Sequence, residues 1–151
     1  SHAELEAIDA ACKALNGWRL WQCDLYVTLE PCPMCAGAII NARLRRVIYG
    51  TADPKAGSFG SVIDFNSLPY NHKPELVSGV LQGECAGVLS DFFATLRARR
   101  KAESATKTAS SKKNTEAPFG ASVPFFAAYA AESRPARGSV LHLSAYFMDY
   151  S

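Results

Sequence analysis

The chain has 151 residues, 48% of them hydrophobic, and a formal net charge of +2, which is enough apolar content for one domain with a buried core. No run of 18 apolar residues and no charged segment leading into an apolar one occurs, which argues against a membrane span or a secretory signal. So small a charge does not announce a nucleic-acid partner by itself. Five cysteines, an odd number, fit a reducing, cytoplasmic setting better than a disulfide framework.

Taken in order, the chain opens on His2-Ala3-Glu4. Leu5, Ile8, Ala11, Cys12 and Leu15 recur at three and four, which predicts an amphipathic helix over 4–15 stopped by Asn16-Gly17. Cys23 to Leu29 is rich in strand formers and runs straight into Glu30-Pro31-Cys32-Pro33-Met34-Cys35, read as a tight turn and the start of a helix to about Ala42 with Pro31 in its first turn. Arg45 to Gly50 is a second strand; strand, helix, strand implies a parallel pair. Thr51 to Pro74, with several Gly and Pro, is mostly loop with one helical turn near Val62 to Phe65. A short strand over 75–81 and a helix over 84–101 follow, the helix carrying Cys85, Val88, Leu89, Phe92, Phe93 and Leu96 on its apolar side. From Thr95 to Lys113 the basic residues Arg97, Arg99, Arg100, Lys101, Lys107, Lys112 and Lys113 face Glu103 alone. That cluster reads either as a solvated helix end, where cations also complement the helix dipole, or as a track for phosphates. Residues 103–118, rich in Ala, Ser, Thr and Lys, read as a disordered linker. Residues 119–151 form an aromatic-rich tail without site chemistry, in which the alternation around Val140 to Phe147 permits a strand.

The chemistry concentrates in two fragments. Cys32 and Cys35, two residues apart in the helix-opening turn, can point into one space where N–H groups are unpaired and the dipole favours thiolates. His2 adds a nitrogen ligand, and Glu4 a carboxylate that need not bind metal. Zinc held by three protein ligands keeps a position open for water and lowers that water's pKa, the form of a catalytic site. A structural zinc site would need a fourth ligand, and Cys12, Cys23, Cys85, His72 and His142 show no paired spacing. A thioredoxin-like redox site also uses Cys-x-x-Cys, but it has no use for His2 and Glu4. The three remaining cysteines sit among apolar neighbours and read as core.

The pattern H-x-E…P-C-x-x-C is that of the zinc nucleobase deaminases. From Ser1 to about Lys101 the sequence further resembles the bacterial tRNA-specific adenosine deaminases, through Tyr49-Gly50, Asp53-Pro54-Lys55, Gly57-Ser58-Phe59-Gly60-Ser61, Asn71-His72 and Ser90-Asp91-Phe92-Phe93. The resemblance implies a three-layer α/β/α cytidine-deaminase-like sandwich, usually a homodimer whose partner helps complete the substrate site. It implies hydrolytic deamination of the wobble adenosine of a tRNA anticodon loop to inosine. His2, Cys32 and Cys35 then correspond to zinc ligands and Glu4 to the proton shuttle. Leu29 and Glu30 correspond to the pocket wall, and Asp53, Lys55, Asn71 and Phe93 to positions facing the anticodon loop, with Arg97, Arg99, Arg100 and Lys101 tracking phosphates. Two alternatives stand beside it: a zinc deaminase of free guanine, cytosine or nucleotide, and an inactive zinc-holding or RNA-binding fragment.

Relatives carry a helix and two strands ahead of the His-Ala-Glu helix, and the chain, which begins at Ser1 without Met, is read as a fragment lacking them. The domain is accordingly set at 1–102. Loss of two strands is expected to leave a sheet edge uncovered, stability marginal and the chain inactive or nearly so on an anticodon stem-loop, unless the tail folds back over the gap or a partner chain completes the fold.

Overall fold

In the computed structural model, residues 2–109, 126–130 and 141–147 are described. The elements are α1 (Ala3–Leu15), β1 (Cys23–Leu29), α2 (Pro33–Asn41), β2 (Arg46–Thr51), β3 (Glu75–Ser78), α3 (Gln82–Ala109), β4 (Phe126–Ala130) and β5 (Leu141–Phe147). The strands form one sheet in the order β3-β2-β1-β5-β4. β1 lies parallel to β2 and to β5, β2 lies parallel to β3, and β4 pairs antiparallel with β5. The β1–α2–β2 unit thus has the parallel pairing expected of a helical crossover.

The alternation of side chains along β1 and β2 divides the layers. Leu25 and Val47 join Ala7, Ile8 and Ala11 of α1 and Ala36 and Ile39 of α2 in one buried cluster, whereas Gly50 faces Cys85 of α3. The result is α1 and α2 over one face and α3 over the other, the α/β sandwich that the motifs imply. At the start of the strands, buried Asp24 accepts two hydrogen bonds from Arg45, at 2.8 and 2.6 Å, so the one buried charge on β1 is matched by a planar fork. No helix among the described residues is long and apolar enough to cross a membrane.

Several expectations change. Pro33, not Pro31, opens α2, and Cys32 is its N-cap with extended φ −74° and ψ 172°; the ring of Pro33 steers the residue before it out of the helical region. The helical turn in the long loop falls at Phe65–Ser67, where Asp64 caps the Asn66 N–H. β3 ends at Ser78, because Gly79, with φ 80°, breaks the extended run. α3 continues to Ala109, so the linker begins as helix, while 110–118 lies outside the described residues. Of the six apolar residues expected on its inner side, Val88 and Phe93 are about half exposed, whereas Cys85, Leu89, Phe92 and Leu96 are more covered, a narrower stripe than the sequence suggests. Finally, the edge of β1 expected to be bare is covered: β5 pairs along it from Cys23 to Val27. The tail supplies both strands on that side of the sheet.

Gly50 fixes how closely α3 can approach. A Cβ there would lie 2.6 Å from Cys85 Cβ and 2.9 Å from the Thr28 carbonyl oxygen, and neither neighbour can rotate away. Gly50→Ala should therefore cost about 1–3 kcal/mol through overpacking. Urea unfolding checks this, and an unchanged midpoint would contradict the docking of α3 on β2.

Candidate metal centre and substrate pocket

The site is built where two helix N-termini meet. His2 is the N-cap residue of α1, extended at φ −92° and ψ 147°, and its carbonyl accepts from the N–H groups of Leu5 and Glu6 at 3.0 and 3.2 Å. With its backbone so committed, the imidazole is left to project from the helix end. Cys32 caps α2 without a side-chain cap hydrogen bond, and Cys35 sits fully buried one turn on. Both thiols therefore lie at the positive end of the α2 dipole.

The three side chains converge. His2 Nδ1 is 3.5 Å from Cys32 Sγ and 3.4 Å from Cys35 Sγ, and all three ligand atoms lie within 4.8 Å of one another. With Zn–S near 2.3 Å and Zn–N near 2.0–2.1 Å, tetrahedral neighbours stand about 3.6 Å apart, so the spacing suits one zinc ion. The chemistry of the donors agrees. Burial, the neighbouring Glu4 carboxylate and Cys32 together push the Cys35 thiol far up, the situation that a central cation relieves by favouring the thiolate. His2, Cys32 and Cys35 fit zinc, and Glu4 lies beside Cys35 as a carboxylate outside that ligand set.

A cavity of about 190 Å³ opens beside these residues, lined by His2, Glu4 and Cys32 together with Leu29, Asp53 and Phe93. It is smaller than the ~300 Å³ at which drug-sized pockets begin, which suits a single ring system. Val27, Thr28, Ala56 and Leu89 also line it. Sequence reasoning did not single these out. The strand alternation placing Val27 beside Leu29 on one face was a usable signal for the first, but nothing local marked Leu89, which the register of α3 brings in.

Glu30 has a further task. It is 2% exposed, and it accepts from the N–H groups of Asp53, Phe59 and Ser61 at 3.1, 2.9 and 3.1 Å and from the Ser61 hydroxyl. A Cβ on Gly57 would come within 2.5 Å of its Cδ and 2.6 Å of the Asp53 carbonyl oxygen, so the loop closes over the carboxylate only because residue 57 is glycine. Burial alone would raise the Glu30 pKa; the donors from Ser61, Asp53 and Phe59 outweigh it and hold the carboxyl below its ordinary range. Glu30 thus ties the 53–61 loop, and with it Asp53, to the pocket wall.

A lowered folded-state pKa means that the unfolded chain binds the proton more readily, so this tether stabilises above the unfolded value and is lost as pH falls through the folded one. Glu30→Gln should cost about 2 kcal/mol or more, given hydrogen bonds to a buried charge, and should flatten the acid limb of a stability–pH curve. An acid limb identical to that of the parent chain would contradict the tether.

The remaining predicted residues are not all brought to the pocket. Lys55 is exposed, and its N–H closes an Asp53 turn at 2.9 Å. Asn71 lies away from the pocket: its side-chain oxygen accepts from Arg43 at 2.5 Å, just after α2 and beside Leu44, whose carbonyl lies 2.7 Å from His72 Nε2. That is the end of β1 and β2 opposite the thiols, because the 66–74 loop must return there to start β3 beside Arg46. Arg97, Arg99, Arg100 and Lys101 are exposed on α3, with Arg99 3.8 Å from Glu103.

The sequence model of the MafB19-like deaminases matches residues 1–97. The chain belongs to this deaminase family. Among its relatives, the tRNA-specific adenosine deaminase of Bacillus subtilis strain 168 is 52% identical over 103 residues, covering 68% of this chain and 64% of that protein. The tRNA(Ile)-lysidine synthase of Deinococcus deserti is 48% identical over 99 residues, covering 66% of this chain and 19% of that protein. A solved structure from studies of A-to-I editing by tRNA:A34 deaminases at the wobble position of transfer RNA superposes with a TM-score of 0.55 at 49% identity, covering 58% of this chain and 64% of that one. This deaminase chain therefore spans a little under two thirds of the length of that Bacillus relative. His2, Glu4, Cys32 and Cys35 all fall within the matched region.

Proposed function

We propose that this chain carries the zinc centre of a tRNA adenosine deaminase, converting the wobble adenosine of an anticodon loop to inosine. The observation that carries the reading is the convergence of His2, Cys32 and Cys35, with Glu4 beside them, next to a pocket the size of one ring system that His2, Glu4 and Cys32 help to line. The similarity to tRNA-specific adenosine deaminases supports it. When bound, zinc supplies a Lewis acid that makes water nucleophilic near neutral pH.

The chain's own residues do the rest. Val27, Leu29, Ala56, Leu89 and Phe93 enclose the base and exclude bulk water. The Glu4 carboxylate takes a proton from the attacking water, passes it to N1 of the base and then transfers the second proton to the leaving amine. Water adds at C6, the C6–N6 bond breaks and ammonia departs. An anticodon loop suits this pocket because its bases are already unpaired, which lowers the cost of extrusion.

Exposed cations on α3 would follow the RNA backbone. Replacing Arg97, Arg99 and Arg100 with Gln should weaken RNA binding and reduce the slope of log affinity against log salt by roughly 0.7–0.9 for each phosphate no longer neutralised. An unchanged slope returns the three to a solvated helix surface. Met34, Val62 and Ile63 are exposed apolar side chains consistent with a homodimer face, which a single-chain mass in sedimentation would exclude. The free thiols of the five cysteines suit a reducing, cytoplasmic compartment.

The test is a comparison of substrates at equal enzyme: a labelled anticodon stem-loop against free adenosine, guanine and cytidine. Inosine from the stem-loop alone is expected. Ammonia from a free base instead favours the small-molecule deaminase, and bound zinc with no turnover on any substrate favours the zinc-holding module.

A further inference from the structure

The metal ligands come from two differently supported halves of the fold. Cys32 and Cys35 follow β1 directly and ride on α2, inside the β1–α2–β2 unit. His2 and Glu4 ride on α1, and α1 packs along β4 and β5 as well as against α2. Ala3, Ala7 and Ala11, spaced by four, are all buried, so α1 presents a smooth row of small residues that lets its backbone lie close to what it covers. The floor beneath it is largely made of the C-terminal strands.

Those strands are joined in turn to the strand that leads into the thiol turn. β5 is in register with β1 over Cys23–Leu141, Asp24–His142, Leu25–Leu143, Tyr26–Ser144 and Val27–Ala145, and β4 extends the same sheet outward. The placement of His2 relative to Cys32 and Cys35 is therefore set through a chain of packed elements, from α1 to β4 and β5, from β5 to β1, and from β1 into the turn. Metal sites lose affinity steeply when one ligand moves by even a fraction of an ångström, because coordination distances are narrow.

We propose that the β4–β5 pair is a positioning element of the metal centre: by carrying α1 against the sheet at a fixed register, it delivers His2 and Glu4 to the thiols of α2. The proposal rests on the zinc reading above. A segment with no chemistry of its own thereby acquires a part in the chemistry of residues more than a hundred positions earlier in the chain.

The experiment uses the full chain and its Ser144→Pro variant, since Ser144 pairs with Tyr26 on one side and Tyr129 on the other and proline removes a ladder donor in mid-sheet. Ser144→Gly serves as a milder change if the proline variant does not fold. Zinc affinity is read by chelator competition and the ligand set by the visible spectrum of bound cobalt(II), with His2→Ala as the reference for a site lacking its nitrogen. The expected result is zinc binding weakened at least about tenfold, with a cobalt spectrum moving toward that of His2→Ala, while the amides of Ile39 and Val47 keep their exchange protection. Parental affinity and spectrum in a chain whose β5 amides exchange freely would overturn the proposal. So would loss of protection at Ile39 and Val47 together with the metal in both variants, which would make the strands a general folding element. If the unaltered chain binds neither zinc nor cobalt, the zinc reading itself falls and takes the proposal with it.

Discussion

Glu4→Gln is expected to retain zinc at the parental level and to deaminate an anticodon stem-loop at least about a hundredfold more slowly, the low end of what a positioned acid–base group contributes. The two halves of that result follow from different observations. Zinc stays because His2, Cys32 and Cys35 converge without Glu4, and glutamine keeps the shape of the side chain in the first turn of α1. Turnover falls because an amide cannot take up and return a proton, and the other two carboxylates that line the pocket are committed elsewhere: Glu30 accepts from Asp53, Phe59 and Ser61, and Asp53 Oδ1 accepts from Lys55 N–H. Parallel elemental analysis and single-turnover kinetics decide it. Zinc loss in the variant would make Glu4 a ligand, and parental turnover would remove it from the proton path.

Cys35→Ala should abolish stoichiometric zinc binding and all measurable deamination, the largest effect of any single change here. Cys35 is fully buried, and its thiol approaches His2 at 3.4 Å; alanine removes a ligand that no other described side chain can supply, since among the described residues His2, Cys32 and Cys35 are the group placed to hold an ion. Cys32→Ala should behave alike, though Cys32 is less buried and its loss disturbs the core less. The contrast with Cys23 is a useful control. Burial, Asp24 and Cys12 push the Cys23 thiol up to about 11, which marks an inert core group, and Cys23→Ala should keep the metal while losing some stability. Full zinc content in both ligand variants would show that the donors are other residues.

Much of this was legible in the sequence, and the reasons differ by element. β1 is bounded by Cys23 and Leu29 as its run of strand formers suggests, because a strand paired on both sides tolerates few other compositions. The thiol turn could be read because its chemistry needs cysteine, proline and a helix start in a fixed order. The far part of α3 could not: Ala, Ser, Thr and Lys after Lys101 signal the lack of a packing partner, not the lack of a helix, and the Arg99–Glu103 pair spaced by four gives local helical support. β4 was missed because Phe126-Ala-Ala-Tyr-Ala has no alternation to mark it, whereas the alternating stretch around Val140 to Phe147 did permit β5.

Site residues divide in the same way. His2, Glu4, Cys32 and Cys35 were recognisable because metal chemistry restricts residue type, and the structure brings them together. Glu30 was placed on the pocket wall, but its larger task of holding the 53–61 loop depends on three backbone N–H groups that no sequence pattern displays. The surroundings of Asn71 are not legible in a motif, which gives composition and not the path of a loop; its partner Arg43 becomes visible only once the 66–74 loop is seen returning to the start of β3.

The account turns on a three-ligand zinc centre, and zinc K-edge absorption fine structure of the purified full chain tests it most directly. Two sulfur scatterers near 2.3 Å with nitrogen or oxygen scatterers near 2.0–2.1 Å per zinc are predicted, with the imidazole contribution lost in His2→Ala. Four sulfur scatterers, or a spectrum indifferent to His2→Ala, would contradict it.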